Sequence, residues 1–133
     1  MIHLDTSTLV DAFTSPYRSG EALLAIAVQG ERLGISTIVL YEWRRGPRTA
    51  EELGEQEAIM PGAMAVPFDH DAAIRAATWY REVKHPRTRA VDLAIAACAI
   101  RHKASLWTLN PEDFDDIPGL VIYKPPMSKR TRL

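Results

Sequence analysis

The sequence has 133 residues, of which 47% are hydrophobic and 25% are charged, and its formal net charge is -1. This length fits one domain, and this composition predicts a packed core rather than intrinsic disorder. The near-neutral charge excludes a uniformly basic nucleic-acid binder, so affinity for a polyanion must come from a local basic patch or from bound cations.

Apolar runs and amphipathic stretches alternate along the first half of the chain. In chain order they predict a strand at 2–4, a helix from about 6–8 to 16, a helix at 19–30, a strand at 32–36, a helix at 37–45 and a polar helix around 51–57. Ser19 can cap the second helix and Gly30 can stop it. Its inward face would then carry four apolar residues: Ala22, Leu23, Ile26 and Ala27.

The second half continues the alternation. It predicts a strand at 63–68, a long helix at 69–84, a polar and basic loop at 85–90, a buried helix at 93–100, and strands at 105–109 and 120–123. Strands that alternate with helices predict an α/β fold with a mainly parallel sheet. In such sheets the functional crevice lies beyond the carboxyl ends of the strands. We assign residues 1–126 to one domain and 127–133 to a mobile basic tail.

Acidic side chains fall where that crevice is expected. Asp5 directly follows the first strand, Glu42 interrupts an apolar and aromatic segment, and Asp92 opens the predicted buried helix. Each has a simple structural explanation on its own, namely helix capping for the two aspartates and an exposed helix position for the glutamate. Asn110 and Asp113 follow the strand at 105–109, where a plain turn is also compatible with the sequence.

The shared position of these acids favours a functional site. Several carboxylates at one sheet edge repel one another unless a cation binds or some of them are protonated. Aspartate and glutamate oxygens without Cys or His ligands select hard cations such as Mg²⁺ or Mn²⁺. Such ions bind phosphate oxygens and activate water, so the pattern is typical of a phosphodiesterase site.

Four segments, in this order and at this spacing, resemble the PIN-domain ribonucleases, and most closely the VapC-type toxins of toxin–antitoxin modules. They are Ile-His-Leu-Asp-Thr-Ser, Ser-Thr-Ile-Val-Leu-Tyr-Glu, Ala-Val-Asp-Leu-Ala-Ile-Ala-Ala, and Leu-Trp-Thr-Leu-Asn-Pro-Glu-Asp-Phe with the later Ile-Pro-Gly-Leu. The resemblance covers essentially the whole chain. No single segment is specific, whereas the ordered set is.

The resemblance implies a three-layer α/β/α sandwich around a parallel sheet of four or five strands. It also implies an endoribonuclease that uses Mg²⁺, with Mn²⁺ as a substitute, forms a homodimer and is inhibited by a cognate antitoxin protein. Asp5, Glu42 and Asp92 match the first three acids of the family, and Thr6 matches the hydroxyl residue that supports the first acid.

The fourth acidic position departs from the family pattern. Some members have an aspartate where this chain has Asn110, and others have one three residues later, where this chain has Asp113. Both alternatives stay open. We expect Asp113 to contribute to the metal site and Asn110 to support it.

Basic residues near the acids are candidates for RNA contacts. We single out Arg45, Arg87 and Arg89, and Trp43 could offer a base a stacking surface. The cluster around Trp43 could equally receive an antitoxin segment or be solvated.

The compartment and the alternative function follow from the remaining features. The lone Cys98 excludes an intramolecular disulfide, and no run of roughly 20 apolar residues or signal peptide is found, so we expect a cytoplasmic protein without a membrane partner. No Gly-rich phosphate loop is present either. The alternative from another functional class is a catalytically silent module that keeps the fold and binds RNA or a peptide, which the Asn110 departure allows.

Overall fold

Helices and short strands alternate in the computed structural model, which describes residues 1–14 and 18–126. The strands are β1 (Ile2–Leu4), β2 (Leu33–Gly34) and β3 (Ser105–Trp107). The α-helices are α1 (Thr6–Thr14), α2 (Arg18–Val28), α3 (Thr37–Arg45), α4 (Ala50–Ile59), α5 (His70–Tyr80) and α6 (Pro86–Arg101). Two short 3₁₀ turns lie at Gly62–Met64 and Pro111–Asp113.

The sheet is parallel, with β1 in the centre between β2 and β3. Single bridges extend it on both sides, from Ser36 to Val66 and from Leu106 to Ile122. The α/β fold class with a parallel sheet is therefore confirmed. Three strands form in the described part of the chain rather than the expected four or five, and the two outer segments contribute one bridge each.

The predicted strand at 63–68 is mostly wrong for a local reason. Gly62–Met64 forms a 3₁₀ turn, and Pro67 has no backbone N–H to donate to a neighbouring strand. Only Val66 is left to pair, and its N–H donates to the Ile35 carbonyl at 2.9 Å.

The carboxyl end of the sheet is anchored by the core. All three residues of β1 are buried, and so are Leu106 and Trp107 of β3. Helix α1 packs on β1, and α6 packs on β3. Parallel pairing brings the residues that follow β1 and β3 to the same edge, with the amino-terminal end of α3 beside them.

Helix α3 starts and ends at the predicted residues. Ser36 caps it, because its hydroxyl accepts a hydrogen bond from the Val39 N–H at 3.2 Å. Trp43 is fully buried and donates from Nε1 to Gln56 Oε1 at 3.2 Å. Trp43 is therefore a core residue, and the predicted stacking surface for a base is wrong.

The predicted basic loop at 85–90 is wrong, because α6 begins at Pro86. Proline is favoured at the first helical position, where its missing N–H costs nothing. His85 before it adopts a left-handed conformation with φ of 53°. Asp92 consequently lies in the second turn of α6 instead of opening a helix. The first turns of α6 carry polar side chains on their exposed face, and a polar stretch of this kind is also typical of a loop.

Helix α2 departs from its prediction at the start. It begins at Arg18, so Ser19 lies inside it, and the Ser19 N–H donates to Asp11 Oδ2 at 2.9 Å. Gly30 follows the helix with φ of 82°, which glycine adopts readily. Leu23 and Ile26 are buried as predicted. Ala27 is exposed, contrary to its predicted place on the inward face.

Helix α6 carries the most buried run of the described chain, from Leu93 to Ala99. Cys98 is part of it, and burial raises the pKa of its thiol to about 11. No helix within 1–14 and 18–126 combines the length and hydropathy needed to cross a membrane. The predicted tail at 127–133 lies outside the described residues.

Candidate active site

Asp5 is buried and held by three donors at the carboxyl end of β1. Its Oδ1 accepts from the Ser7 hydroxyl at 2.7 Å and from the Thr8 N–H at 2.9 Å. Its Oδ2 accepts from the Thr108 hydroxyl at 2.5 Å. The Thr8 bond is a helix cap, so the capping explanation of Asp5 is correct. The other two bonds add a fixed orientation that capping does not require.

Glu42 reaches the same edge from the second turn of α3. Its Oε1 accepts a hydrogen bond from the Thr6 hydroxyl at 2.5 Å, so the residue that follows Asp5 holds the second acid. Its Oε2 lies 3.4 Å from Arg45 Nη2. The Glu42 side chain is 18% exposed, and that of Arg45 is 57% exposed. Glu42 is therefore an inward carboxylate at the rim of the crevice.

Asp92 is half-buried beside the other acids. Burial is the largest cause that raises its pKa to about 6, followed by the negative charges of Asp113, Asp5 and Glu42. Arg89 opposes this shift. The charges of Asp113, Asp5 and Glu42, which come from three other segments of the chain, are thus close enough to raise the pKa of Asp92.

Asn110 directly precedes the short 3₁₀ turn that follows β3, and Asp113 is the last residue of that turn. Both side chains are exposed. The Asn110 N–H donates to Thr108 Oγ1 at 3.0 Å, and the Asp113 N–H donates to the Asn110 carbonyl at 3.0 Å. Of the two, only Asp113 contributes to the raised pKa of Asp92. The Asp113 carboxylate thus lies near Asp92, and the backbone N–H of Asn110 is bonded to Thr108.

The three predicted RNA contacts differ in their surroundings. Arg45 lies at the rim next to Glu42 and 5.2 Å above the Tyr41 ring. Arg87 is exposed on the first turn of α6. Arg89 has a side chain that is only 16% exposed and forms an ion pair with Asp116. Arg45 and Arg87 are thus open to solvent, whereas Arg89 is engaged within the protein.

The acids do not form a ready metal cage. Within the described ranges, no three Asp, Glu, His or Cys side chains are grouped so that they could hold a metal ion as they stand. Protein donors turn the Asp5 and Glu42 oxygens toward Thr8, Thr108 and Thr6. An ion that keeps several waters needs only one or two direct carboxylates, as is usual for Mg²⁺. The all-oxygen donor set fits such an ion.

The family model for the PIN domain matches residues 2–120 of the sequence. The chain belongs to the PIN domain family. No curated protein sequence is significantly similar to it.

Solved structures share the fold of this PIN domain along nearly its whole length. VapBC2 from Rickettsia felis, bound to a DNA fragment from its promoter, is similar with a TM-score of 0.73 and 24% identity over 95% of this chain and 100% of that one. A toxin–antitoxin complex from Klebsiella pneumoniae has a TM-score of 0.69 and 24% identity, covering 93% and 99%. FitAcB from Neisseria gonorrhoeae has a TM-score of 0.66 and 23% identity, covering 92% and 97%. At these identities the likeness concerns the fold.

Two hydroxyl residues of the PIN domain site were missed by the sequence reasoning. Ser7 donates to Asp5 and accepts from the Leu109 N–H at 3.3 Å. Thr108 donates to Asp5 and accepts from the Asn110 N–H. A threonine at the end of a strand, two residues before Asn110, was the available signal. It could be used only once β1 and β3 were known to be neighbours.

Replacing Thr108 with valine should destabilise the protein by roughly 1–3 kcal/mol, because a buried carboxylate oxygen and the Asn110 N–H lose their partner. Urea denaturation in EDTA measures this. Thr78→Val is the matched control, since the Thr78 hydroxyl is exposed and donates only to the Ile74 carbonyl of its own helix. It should change stability by about 0.5 kcal/mol or less. Equal effects of the two variants would contradict a structural role for Thr108.

Proposed function

We propose that this chain is a metal-dependent endoribonuclease and the toxin of a toxin–antitoxin pair. One observation carries the proposal: four acids come from separate segments that meet near the carboxyl end of a parallel sheet. The pKa of Asp92 is raised by its burial and then by the negative charges of the other three acids. Membership of the PIN domain family supports the assignment. A purely structural role does not account for such repulsion, because unpaired like charges destabilise a fold.

The proposed metal is Mg²⁺, for which Mn²⁺ can substitute. Asp92 and Asp113 would be available as ligands, with Asp5 and Glu42 as the carboxylates that complete the site. When bound, a hard divalent ion neutralises phosphate charge and lowers the pKa of a bound water. The donor set is entirely oxygen, which suits this ion better than zinc.

The protein's own residues supply orientation. The three donors to Asp5 fix both of its oxygens, and the Thr6 hydroxyl holds Glu42 Oε1. A catalytic group works best when its geometry is set before the substrate binds. Asn110 is exposed after β3, and its side-chain amide would donate to a phosphate oxygen.

RNA would approach the side of the site that carries Arg45, and the exposed Arg87 is a second candidate for a phosphate contact. Phosphate contacts by arginine supply affinity without base specificity. The net charge of -1 makes such a local patch necessary. Base specificity would then depend on the shape of the groove.

A protein inhibitor is part of the proposal. The solved relatives include toxin–antitoxin complexes, which supports a cognate antitoxin as the partner of this chain. A basic inhibitor side chain would fit among Asp5, Glu42 and Asp92, because a guanidinium forms paired hydrogen bonds with carboxylates. Arg45 already donates one hydrogen bond to Glu42, from Nη2 to Oε2 at 3.4 Å. The expected homodimer is a further part of the proposal, which a solution mass measurement checks.

The alternative function is a PIN-fold module that binds RNA or a partner without cleaving it. Asn110 in place of an acid and the lack of a ready metal cage in the described residues favour this alternative. Incubation of a circular single-stranded RNA with Mg²⁺, with EDTA, and with EDTA followed by excess Mg²⁺ separates the two functions. The proposal expects linear products only when Mg²⁺ is free. RNA binding without cleavage in any of the three conditions would establish the silent module.

Replacing Asp113 with asparagine should raise the Mg²⁺ concentration for half-maximal cleavage by about 10-fold or more, since a charge near the metal is lost. Asn110→Ala should lower the rate with a smaller change in that concentration, and Asn110→Asp should keep or increase activity. Mg²⁺ titrations of the three variants measure this. An unchanged requirement in Asp113→Asn, together with a large shift in Asn110→Ala, would reverse the two roles.

A further inference from the structure

Arg89 connects three separate segments at the edge of the candidate site. Its Nη1 and Nη2 donate to the two carboxylate oxygens of Asp116 at 2.9 and 2.5 Å. Nη2 also donates to the Asp113 carbonyl at 3.1 Å, and Nη1 to the Lys84 carbonyl at 3.3 Å. One guanidinium therefore joins helix α6, the residue two positions before that helix, and the loop after β3.

Asp92 and Asp113 lie next to this bridge on two different segments of the chain. Asp92 lies three residues after Arg89 and thus on the same side of α6. Asp113 lies at the end of a 3₁₀ turn whose three side chains are exposed. Phe114 and Ile117 anchor the loop in the core, but the ion pair and the bond to the Asp113 carbonyl set how the turn lies against α6.

We propose that Arg89 is a positioning residue that pins the loop after β3 to α6 and so holds Asp113 beside Asp92 for metal binding. This inference rests on the proposed function. It replaces the predicted RNA contact at Arg89, because a guanidinium that is 16% exposed and bonded to three residues has few donors left for phosphate.

Arginine is required for this bridge, and lysine is not equivalent. The planar guanidinium satisfies both oxygens of Asp116 and two backbone carbonyls together. An ammonium group is a point charge that can pair with Asp116 but cannot reproduce the fork. The Asp116 side chain is 45% exposed, and ion pairs that are open to solvent on one side usually contribute little to stability. The expected effect is therefore on the geometry of the acids rather than on the fold.

The test measures Mn²⁺ binding to the full chain by electron paramagnetic resonance, together with kcat and KM for RNA cleavage. Arg89→Gln and Asp116→Asn should each weaken Mn²⁺ binding roughly 10- to 100-fold, and Arg89→Lys should recover part of the loss. Asp116→Asn breaks the same bridge from the loop side, so it stays informative if Arg89→Gln folds poorly. Arg101→Gln is the matched control, because Arg101 pairs with Asp69 and Asp71 at the other end of α6. It should leave Mn²⁺ binding unchanged.

The outcomes separate this inference from the proposed function. Wild-type protein that binds Mn²⁺ and cuts RNA, with Arg89→Gln binding Mn²⁺ equally well, overturns the inference alone. If Arg89→Gln raises only the KM for RNA, and Asp116→Asn binds RNA more tightly than the wild type, then Arg89 is a phosphate contact and the inference is wrong. Wild-type protein that neither binds Mn²⁺ nor cuts RNA overturns both.

Discussion

Asp92→Asn should reduce RNA cleavage in Mg²⁺ by at least about 100-fold while the protein stays folded. Loss of a residue that only supports a metal ligand costs up to about 100-fold, and a direct ligand should cost no less. The structure also predicts the effect on stability. The negative charges of Asp113, Asp5 and Glu42 act on Asp92, so removing its charge relieves repulsion. Thermal unfolding in EDTA at pH 8 should occur at the same or a higher temperature.

Asp5→Asn should abolish cleavage as well, but with a different effect on stability. The Asp5 carboxylate accepts from Ser7, Thr8 and Thr108, and an asparagine NH₂ would face one of these donors. Because a buried donor then loses its acceptor, this variant should unfold at a lower temperature.

Asp115→Asn is the matched control for both variants. Asp115 is exposed and near the site in sequence, and it is not among the charges that raise the pKa of Asp92. It should retain full activity and stability. Wild-type cleavage rates in Asp5→Asn or Asp92→Asn would show that the site has been assigned to the wrong residues.

Expression of the wild-type chain alone should arrest or strongly slow bacterial growth, since an uninhibited ribonuclease destroys RNA that the cell needs. Asp92→Asn should restore normal growth at equal protein levels, and Asp115→Asn should remain harmful. Growth curves with immunoblots of the expressed protein measure this. Harmless expression of a wild-type chain that is active in vitro would count against the toxin role and leave the nuclease role standing.

The sequence predicted the parts of the fold that depend on local chemistry. The strand at 2–4 and the helix at 37–45 have the predicted bounds. The strand is a short apolar run, and the helix begins after the capping Ser36 and ends before Gly46 and Pro47, so both depend on residues only a few positions away. The region at 85–90 was misjudged because the same polar residues suit a loop or the outer face of a helix. Only tertiary packing of α6 on α5 and β3 decides between them.

The candidate site shows the same division. Asp5 and Asp113 were singled out because each follows a strand, and Glu42 and Asp92 because of the apolar segments around or after them. Ser7 donates to Asp5, which is 2 residues away in the chain. Thr108 also donates to Asp5, 103 residues away, and Asp116 pairs with Arg89, 27 residues away. The two long separations cannot be derived from spacing along the sequence, because they require the positions of β1, β3 and α6 in space.

The most direct test of the central claim, that these four acids form one metal site, is a Mn²⁺ titration of the wild-type chain and of Asp92→Asn, followed by electron paramagnetic resonance of the free ion. We expect the wild-type chain to take up Mn²⁺ and Asp92→Asn to bind it at least about 10-fold more weakly. Wild-type protein that leaves all Mn²⁺ free, or Asp92→Asn that binds it as tightly as the wild type, would show that the four acids do not form a metal site.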